Sequence, residues 1–317
     1  MTRLKGRRSG RSSSAFYGKG TKSKVKAIFI RPSQESSFPR QVDSWQGMHD
    51  IGVFSPVYKE DNQDVHHARR LLANGVSAPT RILDIGAGRG RITAGLDNPL
   101  IQVVSLEPTT LRADRHKARQ ANVRAIAEEM PFKAGSFDKV IVSYALEYAD
   151  RNRAVAEIKR VLKPGGKAVL LLHKKGSIYQ RSIEMNVRSN AGVIEILTKL
   201  KSGRYRKFAE ILRDATKTGV SENPEFPKIR EFLREYFEGL RGNNRAMLPN
   251  IEDAIRKMRI LAKPFQEMVL KGKQLFANES EIRGYFGNSG LNVEEVKVIE
   301  RPGEWHFGYA VLLEKPA

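Results

Sequence analysis

The sequence predicts an α/β fold: a doubly wound, mostly parallel seven-stranded sheet with a helical insertion after the fifth strand. Three observations carry this. Short apolar runs alternate with helical patterns from residue 81 to residue 173, which is the rhythm of βαβ units and a parallel sheet. That rhythm stops for about a hundred residues of helical periodicity. It then resumes as one helix and two closing strands.

The elements follow in order. Val65, Ala68, Leu71 and Leu72 fall at helical spacing in 61–74, with Asp61 placed to cap the start and Gly75 to end it. RILDI (81–85) reads as a strand, and GRITAGL (90–96) as the opening of a helix. IQVVSLE (101–107) is a strand, 109–121 a polar helix and NVRAIA (122–127) a short strand. DKVIVSYA (138–145) is β-branched and extended. Residues 150–162 form a helix with Val155, Ile158 and Leu162 on one face, ended by Pro164, Gly165 and Gly166. KAVLLLH (167–173) reads as a strand buried on both faces.

Helical patterns then cover 178–200, 204–218, 226–240 and 250–272. Asn278 and Glu281 stand in capping-box spacing at the start of a helix over 278–290, with Gly290 at its far end. Residues 291–300 and 306–315 are the last strands, close enough in sequence to suit an antiparallel pair. The expected organisation is a basic, disordered arm over 1–40, a core over 41–174 and 278–317, and a helical insertion or cap over 175–277.

Composition narrows the function. There is no cysteine, which excludes disulfides, thiolate metal sites and cysteine nucleophiles. The histidines are scattered without ligand spacing, so no metal site is expected. No apolar stretch reaches the length of a membrane span, so a soluble protein is expected, cytoplasmic unless the arm is a transit peptide for an organellar matrix. The net charge is +21. Residues 1–40 hold 11 Lys and Arg against one acid, and 174–277 hold 22 against 12, while the rest is almost neutral. This pattern favours an anionic partner, with nucleic acid a candidate for residues 1–40 and 175–277. The bland alternatives are a solvated tail and helices with solvated charged faces.

The stretch RILDIGAGRGRIT (81–93) sets Gly86, Gly88 and Gly90 after a strand. Glycine there allows a sharp turn and close approach of a ligand. A nicotinamide-dinucleotide fingerprint, and with it an oxidoreductase, is disfavoured, because its last small residue would be Arg91. Glu107 ends the second strand 21 residues after Gly86, where a carboxylate can accept both hydroxyls of a ribose; its alternative role is to cap the next helix.

Together, RILDIGAGRGRIT, VVSLEPT, AEEMPFKAGSFDKVIVSYALEY and EIKRVLKPGGKAVLLL resemble the class I S-adenosylmethionine-dependent methyltransferases, above all the type-11 family of small methyltransferase domains. The resemblance covers about residues 81–173 and returns more weakly at 279–315. It implies a Rossmann-like methyltransferase fold with S-adenosyl-L-methionine as cofactor. It places Asp84, Gly86, Gly88 and Gly90 at the methionine end and Glu107 on the ribose. The usual adenine-edge Asp is Ile126 here, so the Ala127 backbone or Glu128 would take its place. The fourth strand's end, which faces the methyl group in the family, puts Tyr144 and Glu147 beside the acceptor; alternatively Tyr144 packs and Glu147 starts the next helix. His173 ends the fifth strand, as a base, as a hydrogen-bond partner of the substrate, or as an ordinary polar cap.

The implied activity is methyl transfer to oxygen or nitrogen of an acceptor, here an anionic one. The alternatives are an RNA methyltransferase, or a methyltransferase-fold protein that binds RNA or ribonucleoprotein. In-line displacement at a sulfonium needs alignment and water exclusion more than a diagnostic catalytic residue. Attack on a pyrimidine carbon through a cysteine adduct is excluded without cysteine.

Overall fold

A computed structural model of the chain describes residues 62–109, 120–242, 251–253, 255–256, 258–259, 275–301 and 304–317. The expected arm over 1–40, the Asp61 cap and most of the helices expected over 109–121 and 250–272 lie outside the described residues.

Seven strands form one sheet: β1 Thr80–Ile85, β2 Ile101–Leu106, β3 Gln120–Val123, β4 Phe137–Ser143, β5 Leu162–His173, β6 Asn292–Arg301 and β7 Glu304–Glu314. Their spatial order is β3-β2-β1-β4-β5-β7-β6. The first five run parallel, and β7 pairs antiparallel with both β5 and β6. Strand order reverses between β1 and β4, which opens a crevice at their carboxyl ends, the place where ligands bind in open parallel sheets.

Both faces of the sheet are covered, which is why the strands read as unbroken apolar runs. On one face Leu83, Val104, Val142, Leu170 and Val311 pack with α2 (Arg151–Val161) and α6 (Glu279–Asn288). On the other, Ile82, Val103, Ile141, Leu171 and Ala310 pack against α1 (Gln63–Ala73) through Val65, Ala68 and Leu72. Each of these buried side chains contributes roughly 1.5–3 kcal/mol over leaving it exposed.

Between β5 and β6 lie α3 (Ile178–Lys201), α4 (Phe208–Lys217) and α5 (Phe226–Arg241). They have a core of their own, built from Val193, Ile196, Leu197, Ile211 and Leu233. Ser177 starts α3 by accepting a hydrogen bond from the Gln180 amide. The two ends of this segment meet where Lys174 bridges to Phe276.

Three elements differ from the expectation. After Gly90, only a 3-10 turn at Thr93–Gly95 forms in place of an α-helix. Gly90 sits at φ +75°, outside helical geometry, and Pro99 closes the stretch from the other side. The few residues between cannot offset the cost of a helical nucleus. β3 ends at Val123, earlier than Ala127, because Ile126 and Glu129 pair across a turn. α2 ends at Val161, and β5 already begins at Leu162, before Pro164. Gly165, at φ +69°, donates its amide to Lys315 O, so this turn belongs to the strand pairing.

Candidate active site

The glycine turn lies at the β1–β4 crevice. Gly86, Gly88 and Gly90 all have positive φ, at +66°, +51° and +75°. Gly86 is a packing glycine: a Cβ there would stand 2.6 Å from the Ala145 Cβ. Gly88 is different, since a Cβ there would meet nothing within 4 Å. It faces open space and leaves room for a ligand.

Glu107 closes the turn from β2. Its Oε2 accepts the Gly88 amide at 2.9 Å, and its Oε1 accepts the Thr109 amide at 3.1 Å and the Thr109 hydroxyl at 2.9 Å. Both sequence-level roles therefore have a counterpart, one oxygen on the glycine turn and one on the local chain. Asp84 is buried beneath the turn, where its Oδ2 accepts the Thr93 hydroxyl at 2.7 Å. Burial pushes its carboxyl up to about 7, opposed by the Thr93 hydrogen bond, reinforced by Glu107 and opposed again by Arg91.

α1 supplies a second tier that sequence reasoning missed. Arg69 donates to Ile92 O at 2.9 Å and to Arg91 O at 2.8 Å. Arg91 donates to Asp64 at 3.2 Å and to Ser143 Oγ at 3.4 Å. The helix thus pins the downstream end of the turn. Complementary charges on α1 and the turn were the only sequence signal for this.

Ala127 is half-buried beside the Ile126–Glu129 bridge. Glu128 Oε1 accepts the Asp150 amide at 2.7 Å, so it is engaged with the start of α2.

Tyr144, Glu147 and His173 come together at the ends of β4 and β5. Tyr144 is buried and, among the described residues, is the one non-glycine residue at positive φ, +53°. Such a conformation is uncommon for a bulky residue and requires a surrounding structure that holds it. Glu147 lies in the 3-10 turn Leu146–Tyr148, 2% exposed, and its Oε1 accepts the His173 amide at 2.6 Å. The same oxygen is 3.3 Å from His173 Nδ1. His173 is fully buried between two rings: Tyr179 stacks on one face at 3.7 Å and 4°, and Tyr144 lies at 4.4 Å and 33°. Tyr179, from the first turn of α3, also shares a 2.7 Å hydroxyl–hydroxyl hydrogen bond with Tyr148. Neither tyrosine was singled out from the sequence. Their one signal was position, directly after β4 and β5 at the crevice.

A glycine turn with a carboxylate latch at the switch point accommodates a nucleoside, and the adjoining Tyr–Glu–His cluster is chemistry placed beside it. A family model described as a methyltransferase domain matches residues 83–170, which span β1, the glycine turn, Glu107 and the ends of β4 and β5. Residues 83–170 form a class I S-adenosylmethionine-dependent methyltransferase domain. The cofactor of this methyltransferase domain is S-adenosylmethionine.

An uncharacterized methyltransferase of Mycobacterium tuberculosis is 37% identical over 98 residues, 30% of this chain and 40% of that relative. The chain thus spans about 40% of the length of the first curated relatives it matches. A ubiquinone/menaquinone biosynthesis C-methyltransferase of Pectobacterium carotovorum is 28% identical over 185 residues, 51% of this chain and 72% of the relative. Among solved structures, the 1,6-didemethyltoxoflavin-N1-methyltransferase of Burkholderia thailandensis aligns with a TM-score of 0.48 at 14% identity, over 87% of each chain. Among the described residues no helix is long and apolar enough to cross a membrane.

Proposed function

We propose that the chain is an S-adenosylmethionine-dependent methyltransferase whose acceptor sits at the carboxyl ends of β4 and β5. The observation that carries this reading is the 2.9 Å hydrogen bond from the Gly88 amide to Glu107, which joins the open glycine turn to the carboxylate. The residues fit the cofactor. Gly88 has space where a side chain would stand, and Glu107 is a buried acceptor at the end of β2.

In this reading Gly86, Gly88, Gly90 and Asp84 hold the methionine end, and Glu107 takes the ribose hydroxyls. With Glu128 occupied by the Asp150 amide, the Ala127 backbone is the better candidate for the adenine edge. Bound there, the cofactor supplies a sulfonium-activated methyl group. The chain's own task is to align oxygen or nitrogen of the acceptor and to exclude water. Tyr144, Glu147 and His173 are the residues for that task. Calorimetric titration with S-adenosylhomocysteine tests the reading: one site is expected, and its absence contradicts it.

The charge distribution supports a nucleic-acid acceptor as a second reading. Residues 174–277 hold 22 Lys and Arg against 12 acids, and in this segment Arg234 lies 5.2 Å over Phe208 and Arg241 4.9 Å over Phe237. The named quinone-pathway relatives support a small ring acceptor instead. Filter binding of total RNA across a salt series separates the two. RNA binding that weakens steeply with salt supports the nucleic acid, and absent or salt-insensitive binding supports the small molecule.

A further inference from the structure

We propose that His173 removes a proton from a hydroxyl of the methyl acceptor, with Glu147 and Tyr179 as the residues that position its imidazole. This rests on the methyltransferase reading above and names the acceptor class for the same site.

The argument starts from the ring's surroundings. Tyr144 and Tyr179 cover the two faces of His173, so its chemistry is confined to the ring edge. On that edge Nδ1 faces Glu147 Oε1 at 3.3 Å. A carboxylate beside Nδ1 favours the tautomer with the proton on Nδ1, which leaves the lone pair on Nε2 and makes that nitrogen a base. Glu147 also answers the charge that proton uptake creates. Its Oε2 is buried and has no hydrogen-bond partner among the described residues. Burying a carboxylate with one oxygen unpaired is costly, and a positive imidazolium alongside offsets that cost.

A base is needed only where the acceptor is protonated at working pH. A neutral imidazole does not attract an ammonium group, whereas a hydroxyl donates to it readily. In the transfer, the O–H bond breaks and its proton goes to Nε2. The oxygen's electron pair forms the new O–CH3 bond, and the S–CH3 pair stays on sulfur as a neutral thioether. The imidazolium then returns its proton to solvent.

Tyr179 ties this base to the helical insertion. It stacks on the imidazole, and its hydroxyl meets that of Tyr148 at 2.7 Å. The first turn of α3 thereby fixes the ring plane and keeps water from it.

Two measurements on the full chain test the proposal. In 15N-histidine NMR, with His173 assigned through H173Q, the Nδ1–H tautomer is expected; the Nε2–H tautomer overturns the proposal. In the second, tritium is transferred from methyl-labelled S-adenosylmethionine into extract of the expressing cells, and the alkali-stable product is treated with hydriodic acid. Release of the label as methyl iodide is expected, as an ether requires. Label retained on nitrogen or carbon, or no transfer by protein that binds S-adenosylhomocysteine, overturns the proposal. H173Q is expected to lower transfer at least about 100-fold with S-adenosylhomocysteine affinity kept within about twofold. Y179A is expected to lower it about tenfold and Y179F to restore most of it. Unchanged transfer in H173Q, or a Y179F as poor as Y179A, contradicts the assigned roles. Loss of S-adenosylhomocysteine binding by the wild-type chain is a different outcome, and overturns the methyltransferase reading itself.

Discussion

A Cβ on Gly86 would stand 2.6 Å from the Cβ of Ala145, so the glycine turn after β1 and the residue after Tyr144 are packed to contact at the point where strand order reverses. Gly86→Ala meets both this clash and a positive φ. It is expected to destabilise the fold by about 1–3 kcal/mol, read as a lower denaturant midpoint. Gly88→Ala meets open space and carries only the conformational cost of about 1–2 kcal/mol. Its main expected effect is on ligand binding, with S-adenosylhomocysteine affinity reduced at least about tenfold. Equal folding losses in the two variants with unchanged affinity would refute the division of labour.

Arg69 holds the far end of the same turn through two backbone carbonyls. Arg69→Met keeps most of the aliphatic packing on α1 and removes both hydrogen bonds, each worth roughly 0.5–3 kcal/mol. S-adenosylhomocysteine affinity is expected to fall about tenfold, with a thermal midpoint lowered by only a few degrees. Calorimetry and a melting curve check the two halves of this expectation.

Asp84 makes stability depend on pH in an unusual direction. Burial lifts its carboxyl from the ordinary range to about 7, so between those values the folded protein holds a proton that the unfolded chain has lost. Its contribution to stability is full at acid pH and is lost as pH rises to about 7. The total is on the order of 4 kcal/mol. Asp84→Asn is expected to flatten this fall. The check is the difference between wild-type and variant unfolding free energies from pH 4 to 8, and a difference that does not change with pH contradicts it.

Much of this architecture was legible because burial on both faces leaves a direct imprint. Leu170, Leu171 and Leu172 point alternately to two cores, so β5 reads as an unbroken apolar run. Gly86, Gly88, Glu107 and Asp84 were legible as a spacing. The α-helix expected after Gly90 was misread because periodicity over a few residues says nothing about nucleation. The stack of Tyr179 on His173 was out of reach for another reason. It depends on the turn through Gly176, at φ +77°, which returns the chain over the strand end it has just left. The burial of Glu147 was hidden for a similar reason, since a charged residue opening a turn ordinarily faces water.

The central claim is that the open turn at Gly88 and the Glu107 carboxylate together hold a sulfonium nucleoside. Titration of S-adenosylhomocysteine into the wild-type chain and into Glu107→Ala measures it most directly. The account predicts a single site in the wild type, weakened at least about 30-fold in the variant, which is about 2 kcal/mol. No binding heat in the folded wild type, or the same affinity in both proteins, would contradict it.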